Sequence, residues 1–394
     1  MSWRDRLLGS PERAGPHQLA RILRRGSPSA RIRAARALAR RQQLRALRPL
    51  LDDPVPGVRR AAARGLGWSG SNEQVEGLWG RLRRERAETV RCALAGALLR
   101  CGEPEEQVYG AIRQAAARSI GTYYGPRTPA EVTGTGTAEA CRATWFEIGR
   151  QEAGDPVPRN EVIAQGRRQL ESDPHGATTR AMLPALAAQD DPTLLAALTS
   201  RWDAVGRYAE HAYLEALGWL GDPRALRQLV GALRAMNIDP GRAFKHRRIA
   251  AMAIGRVGDP TALGELDRAL VREALEFEGR PGAGLGIQYP VRNLLLWAVG
   301  EIGNPAAAST LVGYLDNTAG SATGGFHLPA MASLAKLGPA AAPALIELLD
   351  GPEVLAANAA GVLAAIGDKA GIVRARRDPR PEVRAAAATE APRR

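Results

Sequence analysis

"LGWLGDPRALRQLVGAL" (residues 217–233) is followed by a close variant of itself, "IGRVGDPTALGELDRAL" (residues 254–270). In both stretches an apolar segment leads to Gly-Asp-Pro, and a second apolar segment follows it. Glycine adopts the left-handed conformation that ends a helix, aspartate caps the next helix through its side-chain oxygen, and proline is favoured at the first helical position. The sequence therefore predicts a repeated unit of helix, sharp turn and helix.

The glycine of this turn recurs through the C-terminal half of the chain. It recurs at intervals of 29 to 45 residues, at Gly221, Gly258, Gly303, Gly338 and Gly367. The segment before Gly303, "VRNLLLWAVGEIG" (residues 291–303), places its apolar residues on one helical face. Periods of this length are typical of two-helix solenoids, whose helices bury their apolar faces only by stacking. The sequence predicts an all-α fold, a right-handed α-solenoid (superhelix) of about ten helix pairs.

These turns, together with the Val-Arg helix openings at residues 58–59, 291–292 and 383–384, resemble HEAT repeats of the short kind found in phycobilin lyases. The resemblance is specific over residues 204–390 and weaker over 29–116. It divides the chain into three segments. Residues 1–118 are predicted to form Arg-rich N-terminal HEAT-like repeats, and residues 119–203 to form divergent repeats with an inserted loop. Residues 204–394 are predicted to be regular short HEAT repeats with loop insertions and a C-terminal capping helix.

The net charge of +13 is concentrated at one end of the chain. Residues 1–100 contain 22 arginines, no lysine and eight acidic residues, and so carry +14. The remaining 294 residues carry 32 basic and 33 acidic groups. This asymmetry favours an acidic partner for the N-terminal quarter, although arginines that only decorate a solvated surface would give the same count.

The arginines of the predicted second helices lie opposite the apolar stripes. In "RQQLRALRPLL" (residues 41–51) the stripe is Leu44, Leu47 and Leu51. In HEAT proteins that this chain resembles, second helices line the concave surface, which implies a cationic strip there. We predict that nucleic acid or another acidic surface binds to Arg41, Arg45, Arg48, Arg81, Arg84 and Arg113.

Three insertions between consecutive helix pairs are predicted to form loops on one edge of the solenoid, at residues 237–247, 278–289 and 316–327. A larger insertion covers residues 119–137. Aromatic and cationic residues, which are typical interface anchors, are concentrated in the three loops and beside them. We predict a site for a partner or ligand at Phe244, His246, Arg247, Tyr289, Arg292, Phe326 and His327. Loops that only pack on one another remain the alternative.

Signals for catalysis are weak. "GAGLG" (residues 282–286) has no preceding strand and no following Gly-Lys-Ser/Thr, so it is interpreted as a loop. The five histidines are never three or four residues apart, and the three cysteines lack metal-ligand spacing. The iron-binding His-Glu pairs of HEAT-type deoxyhypusine hydroxylases occur here only once and reversed, as Glu210-His211. We predict no catalytic residue, no metal and no cofactor, and the question of an enzymatic activity stays open.

Composition restricts the compartment. No apolar run approaches the roughly 20 residues that span a bilayer, and arginines interrupt the N-terminus where a secretory signal would be apolar. Cys92 and Cys101 are too far apart on one predicted helix to form a disulfide. The expectation is a reduced cytoplasmic protein without a membrane span.

Three functions compete at this stage. The first is a non-enzymatic scaffold that binds a protein partner, which is what most HEAT arrays of this kind do. The second is nucleic-acid binding through the basic N-terminal repeats, as in the HEAT-type alkylpurine DNA glycosylases. The third, implied only by the phycobilin-lyase resemblance, is attachment or chaperoning of a bilin, whose propionates could pair with Arg280 or Arg292.

Overall fold

All regular structure in the described residues is helical, which confirms the predicted all-α fold. The structure is a computed structural model, and it describes residues 10–117, 193–200, 210–235, 240–278, 289–316 and 327–388, with isolated positions between 164 and 190. The α-helices are α1 (Pro16–Arg25), α2 (Pro28–Arg40), α3 (Leu44–Leu47), α4 (Pro56–Gly67), α5 (Val75–Arg84), α6 (Glu88–Arg100), α7 (Glu105–Ala117), α8 (Leu194–Ser200), α9 (Glu210–Leu220), α10 (Leu226–Arg234), α11 (Pro240–Val257), α12 (Leu263–Glu278), α13 (Tyr289–Ile302), α14 (Ala308–Val312), α15 (His327–Leu337), α16 (Ala342–Leu348), α17 (Glu353–Ile366), α18 (Lys369–Arg376) and α19 (Pro381–Ala388).

The predicted turn is present at all five glycines. Their φ angles lie between 64° and 74°, in the left-handed region. Where Asp or Asn follows the glycine, it caps the next helix: the Asp222 carboxylate accepts a hydrogen bond from the Arg224 N–H at 2.9 Å. Asn304 accepts one from the Ala306 N–H at 3.0 Å. The turn chemistry inferred from the sequence is therefore confirmed at these positions, whereas Gly338 is followed by proline and no side chain caps the helix there.

The N-terminal helix pairs use the same left-handed ending with different residues. Gln42 (φ 52°), Gly70 (φ 59°) and Gly102 (φ 84°) follow α2, α4 and α6. No Gly-Asp-Pro marks these positions, which is why the repeat looked weaker here in the sequence.

The chain divides into two compact units, and each is described by itself. Unit 1 comprises Met1–Ala111 and Trp145–Ala262, and unit 2 comprises Ile112–Thr144 and Leu263–Arg394. In unit 1, α2, α4 and α6 pack side by side, as do α9 and α11; in unit 2, α13, α15, α17 and α19 do so. The second helix of each pair packs beside this layer of first helices, which is the arrangement of an α-solenoid.

Small residues let successive first helices approach closely. A Cβ atom added at Gly67 would lie 2.5 Å from the Ala97 Cα, and one added at Gly218 would lie 2.6 Å from the Ala253 Cα. Distances below 3.0 Å do not occur for real Cβ atoms, so these backbones are in contact. The apolar core fills the rest of the layer, as with Ile32, Val58 and their neighbours.

Two segments differ from the sequence prediction. "RQQLRALRPLL" is not one helix, because Gln42 is left-handed and Pro49 provides no N–H donor; α3 covers four residues, and a 3₁₀ helix follows at Arg48–Asp52. Residues 237–247 were predicted to be a loop, but α11 begins at Pro240. The larger part of the other insertions, residues 279–288, 317–326 and 119–137, lies outside the described residues, as do Arg280 and Phe326.

The two compact units divide the chain differently from the segments 1–118, 119–203 and 204–394. Those segments describe the character of the repeats, whereas the units reflect spatial contacts, and residues 1–111 and 145–262 share one unit. The three-segment division therefore remains a prediction about the repeats.

Replacement of Leu294 or Trp297 by alanine should destabilise unit 2. Both side chains are buried in α13, with 5% and 3% of their surface exposed. Each change should lower the free energy of unfolding by about 2 to 5 kcal/mol, through lost burial and the cavity left behind. Urea denaturation followed by circular dichroism measures this. The control is Val271→Ala in α12, since Val271 is 58% exposed; a loss equal to that of the α13 variants would contradict the assigned face.

Candidate functional site

The N-terminal arginines fall into buried and exposed groups. The described residues 10–100 contain 20 arginines, of which Arg36, Arg59, Arg60, Arg64 and Arg91 are buried. Nine are exposed: Arg13, Arg21, Arg24, Arg25, Arg41, Arg45, Arg48, Arg83 and Arg84. The same residues expose only three acidic side chains, Asp52, Glu73 and Glu76. The surface of these helix pairs is therefore strongly cationic even after the buried arginines are set aside.

Three of the predicted polyanion-binding arginines are brought close together. Arg48 Nε donates to Gln74 Oε1 at 2.9 Å, and an Arg48 terminal nitrogen lies 3.5 Å from the Glu73 carboxylate. Arg81 and Arg84 approach the Asp52 carboxylate at 3.0 and 3.9 Å. The second helices of two neighbouring pairs therefore share one charged surface, on which arginines contact the carboxylates of Asp52 and Glu73.

Arg81 differs from its neighbours because it takes part in a buried ion pair. Its side chain is 17% exposed, against 51% for Arg48 and 68% for Arg84. It donates to Glu85, whose carboxylate also receives two hydrogen bonds of 2.8 Å from Arg59. Burial alone would raise the pKa of Glu85, but the two guanidinium groups outweigh it and lower the pKa to about 2. Arg81 therefore stabilises the end of α5.

The remaining members of the predicted strip have other surroundings. Arg41 is exposed, but its guanidinium donates to the carbonyl oxygens of Ala14 and Glu12, at 2.6 and 2.8 Å. Arg45 is exposed on α3. The side chain of Arg113 lies outside the described residues. Arg45, Arg48 and Arg84 are consequently the members most open to a ligand.

The Val-Arg openings have a structural role that the sequence did not reveal. Arg59 donates to the carbonyl oxygens of Asp53 and Pro54, at 2.8 and 3.1 Å. Arg384, at the equivalent position of α19, donates to the carbonyls of residues 378 and 379 at 2.8 and 2.6 Å. In both cases the arginine binds the Asp-Pro turn that precedes its own helix.

Arg292, predicted to bind a partner or ligand, occupies the same motif position in α13. Only 1% of its surface is exposed, and its guanidinium donates to the Glu273 carbonyl oxygen at 2.6 Å. This contact joins α13 to α12, the preceding helix. The structure therefore places Arg292 inside the packing of unit 2.

The other residues of the predicted loop site are divided between the two units. His246 and Arg247 belong to unit 1 and are buried in α11, with 1% and 8% of their surface exposed. His327 belongs to unit 2, where it begins α15, and burial lowers its pKa. The side chains of Phe244, Tyr289 and Phe326 lie outside the described residues.

His246 takes part in a small polar cluster that the loop prediction overlooked. Its Nε2 lies 2.9 Å from Glu210 Oε2, and its ring centroid lies 4.7 Å from that of His211. Within the described residues, no group of three or more His, Cys, Asp or Glu side chains could hold a metal ion. The cluster links the start of α9 to α11.

The family model for HEAT repeats matches residues 16–99. These residues cover α1 to α5 and nearly all of α6, so the N-terminal helix pairs are HEAT repeats. The matched residues lie in the part of the chain where the repeated Gly-Asp-Pro turn is missing from the sequence. The match does not show the phycobilin-lyase subtype. No curated protein matches the chain. Among the described helices, none is long and apolar enough to cross a membrane.

Glu85→Gln should destabilise unit 1, because it leaves Arg59 and Arg81 without their shared carboxylate. Breaking a buried ion pair from one side costs about 3 to 5 kcal/mol. In the unmodified chain the pKa of Glu85 is lower in the folded state than in the unfolded state, where the pKa of glutamate is about 4.3. Its stabilisation is therefore present above that pH and is lost as the pH falls towards 2.

Thermal unfolding between pH 7 and pH 2 tests this contribution. The difference in melting temperature between the unmodified chain and Glu85→Gln should shrink as the pH is lowered through this window. Glu73→Gln is the matched control, since the Glu73 side chain is 80% exposed and its ion pair with Arg48, at 3.5 Å, lies at the surface. A difference that stays constant down to pH 2 would contradict the assignment.

Proposed function

We propose that the chain is a non-enzymatic scaffold whose N-terminal HEAT repeats bind an acidic protein partner. HEAT repeats are commonly protein-interaction scaffolds. The observation that carries the proposal is the charge of the described surface: residues 10–100 expose nine arginines and three acidic residues. An excess of this kind attracts an acidic surface and speeds its association.

The arrangement of these charges favours a protein over a nucleic acid. Asp52 and Glu73 contact Arg48, Arg81 and Arg84 and would repel a continuous row of phosphates. A protein surface can present acidic and basic groups in the complementary order.

The bilin alternative gains no support from the described residues. Arg292 is buried against a backbone carbonyl, and Arg280 lies outside the described residues. Cys92 and Cys101 are both buried and form no disulfide, which agrees with the reduced cytoplasmic setting that we propose from the cysteine spacing.

The test is charge reversal at the three open positions, Arg45→Glu, Arg48→Glu and Arg84→Glu together. The probes are a fluorescent acidic peptide that carries two glutamates for each lysine, and a DNA duplex of the same net charge, titrated in about 50 mM salt. We expect the acidic peptide to bind the unmodified chain, and the triple variant to bind it at least tenfold more weakly. Arg81 is left intact because its loss would disturb Glu85.

The matched control carries the same change in net charge elsewhere, at three other exposed arginines: Arg227→Glu, Arg268→Glu and Arg377→Glu. This variant should bind the acidic peptide within about threefold of the unmodified chain. Tighter binding of the duplex, with an affinity that falls in log salt by about 0.9 per phosphate neutralised, would instead support the nucleic-acid function. Binding of neither probe, or an equal loss in the control, would refute the proposal.

A further inference from the structure

Unit 1 contains contacts that a simple stack of repeats would not make. In a solenoid each repeat touches only its neighbours. Here Arg36 of α2 donates to Asp190, 154 residues later, with an Nε–Oδ1 distance of 3.1 Å, and it also forms an ion pair with Asp222. Arg40 joins the same Asp190 carboxylate at 3.2 Å. The side chains of Arg36, Asp190 and Asp222 are almost fully buried.

The charges of this cluster are matched. Burial alone would raise the pKa of Asp222, but Arg36 and Arg224 hold it well below its usual range. Asp190 is itself in the left-handed region, with a φ of 53°. An aspartate tolerates this conformation better than most residues, and here it places the carboxylate against α2.

A second arginine makes the contact from α4. Arg60 donates to the carbonyl oxygens of Gly218 and Trp219, at 3.2 and 3.1 Å, and to that of Arg256 at 2.6 Å. These carbonyls belong to the last turns of α9 and α11, where helical partners run out and partial negative charge collects. One guanidinium group therefore caps two helices that follow it by more than 150 residues.

The backbone itself meets at the same place. A Cβ atom added at Gly57 would lie 2.6 Å from the Val257 carbonyl oxygen, and one added at Gly258 would lie 3.0 Å from the Gly57 nitrogen. The N-terminus of α4 thus abuts the C-terminus of α11, so the opposite ends of two helix dipoles face each other. The Ser29 hydroxyl donates to the buried Asp259 carboxylate beside them.

This seam contains several charged side chains. Arg36, Arg60, Arg64 and Asp190 line a small open cleft there. Neighbouring first helices, by contrast, meet through apolar side chains such as Ile32, Val58 and Ala61. Buried ion pairs add little net stability and mainly fix which surfaces meet, whereas apolar packing stabilises outright.

We infer that this seam is a latch: unit 1 closes through Arg36, Arg60, Ser29 and their partners, and it opens there in one cooperative step while the helix pairs stay folded. Opening separates α2 and α4 from the ends of α9 and α11. It also exposes the first-helix arginines that the closed form buries.

Hydrogen exchange of the full chain, followed by mass spectrometry, tests the latch. In Arg60→Met we expect peptides covering residues 56–60, 217–224 and 254–262 to exchange at least tenfold faster, and to do so together. Arg36→Met should accelerate the same peptides. Peptides from α6 should keep their rates, because α6 packs on α4 through the apolar layer and not through the seam.

The matched control is Arg31→Met. Arg31 lies in α2, as Arg36 does, but the ion pair that is lost joins it to Asp53 inside the first helix pair. This variant should leave the peptides at 217–224 and 254–262 unchanged. Acceleration of those peptides by the control, or a uniform acceleration of all of unit 1, would overturn the latch. So would an effect of Arg60→Met that is confined to residues 56–60.

Should either methionine variant lose its helical circular dichroism, Ser29→Ala replaces it as a milder change. Exchange of the unmodified chain in increasing guanidinium chloride then decides. The seam peptides should all show the same free energy of opening. This free energy should fall less steeply with denaturant concentration than that of α6, because opening the seam exposes less surface. Equal slopes for the seam and for α6 would mean that the seam opens only when the whole unit unfolds.

Discussion

Each helix pair depends on a single left-handed residue that ends its first helix. Without it the chain could not reverse direction within two or three residues, and the second helix could not cover the apolar face of the first. Most of the C-terminal pairs use glycine followed by a capping Asp or Asn, as at Gly221 and Gly303, whereas Gly338 is followed by proline. The N-terminal pairs meet the same requirement at Gln42, Gly70 and Gly102.

The arginine excess has two separate physical roles. Arginines on the first helices, such as Arg36 and Arg60, are buried. Carboxylates or the carbonyl oxygens at helix ends balance their charge inside unit 1. Arginines on the second helices, such as Arg48 and Arg84, keep most of their surface in water. A net charge counted from the sequence merges these roles, and only the second group produces a field that a partner would experience.

The fold could be predicted from the sequence because turn chemistry and helical periodicity are local. The predicted site for a partner or ligand was harder to locate from the sequence, because the burial of its residues depends on contacts between distant segments. His246 looked like a loop residue, but α11 extends further into the insertion than the pattern indicates and buries it. Arg292 was predicted at the opening of a helix, and it is buried because its guanidinium donates to the Glu273 carbonyl oxygen. A single sequence does not indicate the ion pairs of Arg36 with residues 190 and 222, because an acidic residue beside a turn is interpreted only as a helix cap.

Many of the arginines in this chain bind backbone carbonyl oxygens. Arg41, Arg59, Arg60, Arg292 and Arg384 all do so. A carbonyl oxygen is present whichever side chain the residue carries, so such a contact survives almost any substitution on the accepting side. Repeats joined in this way can change the side chains of the accepting segment while the geometry of the joint is kept.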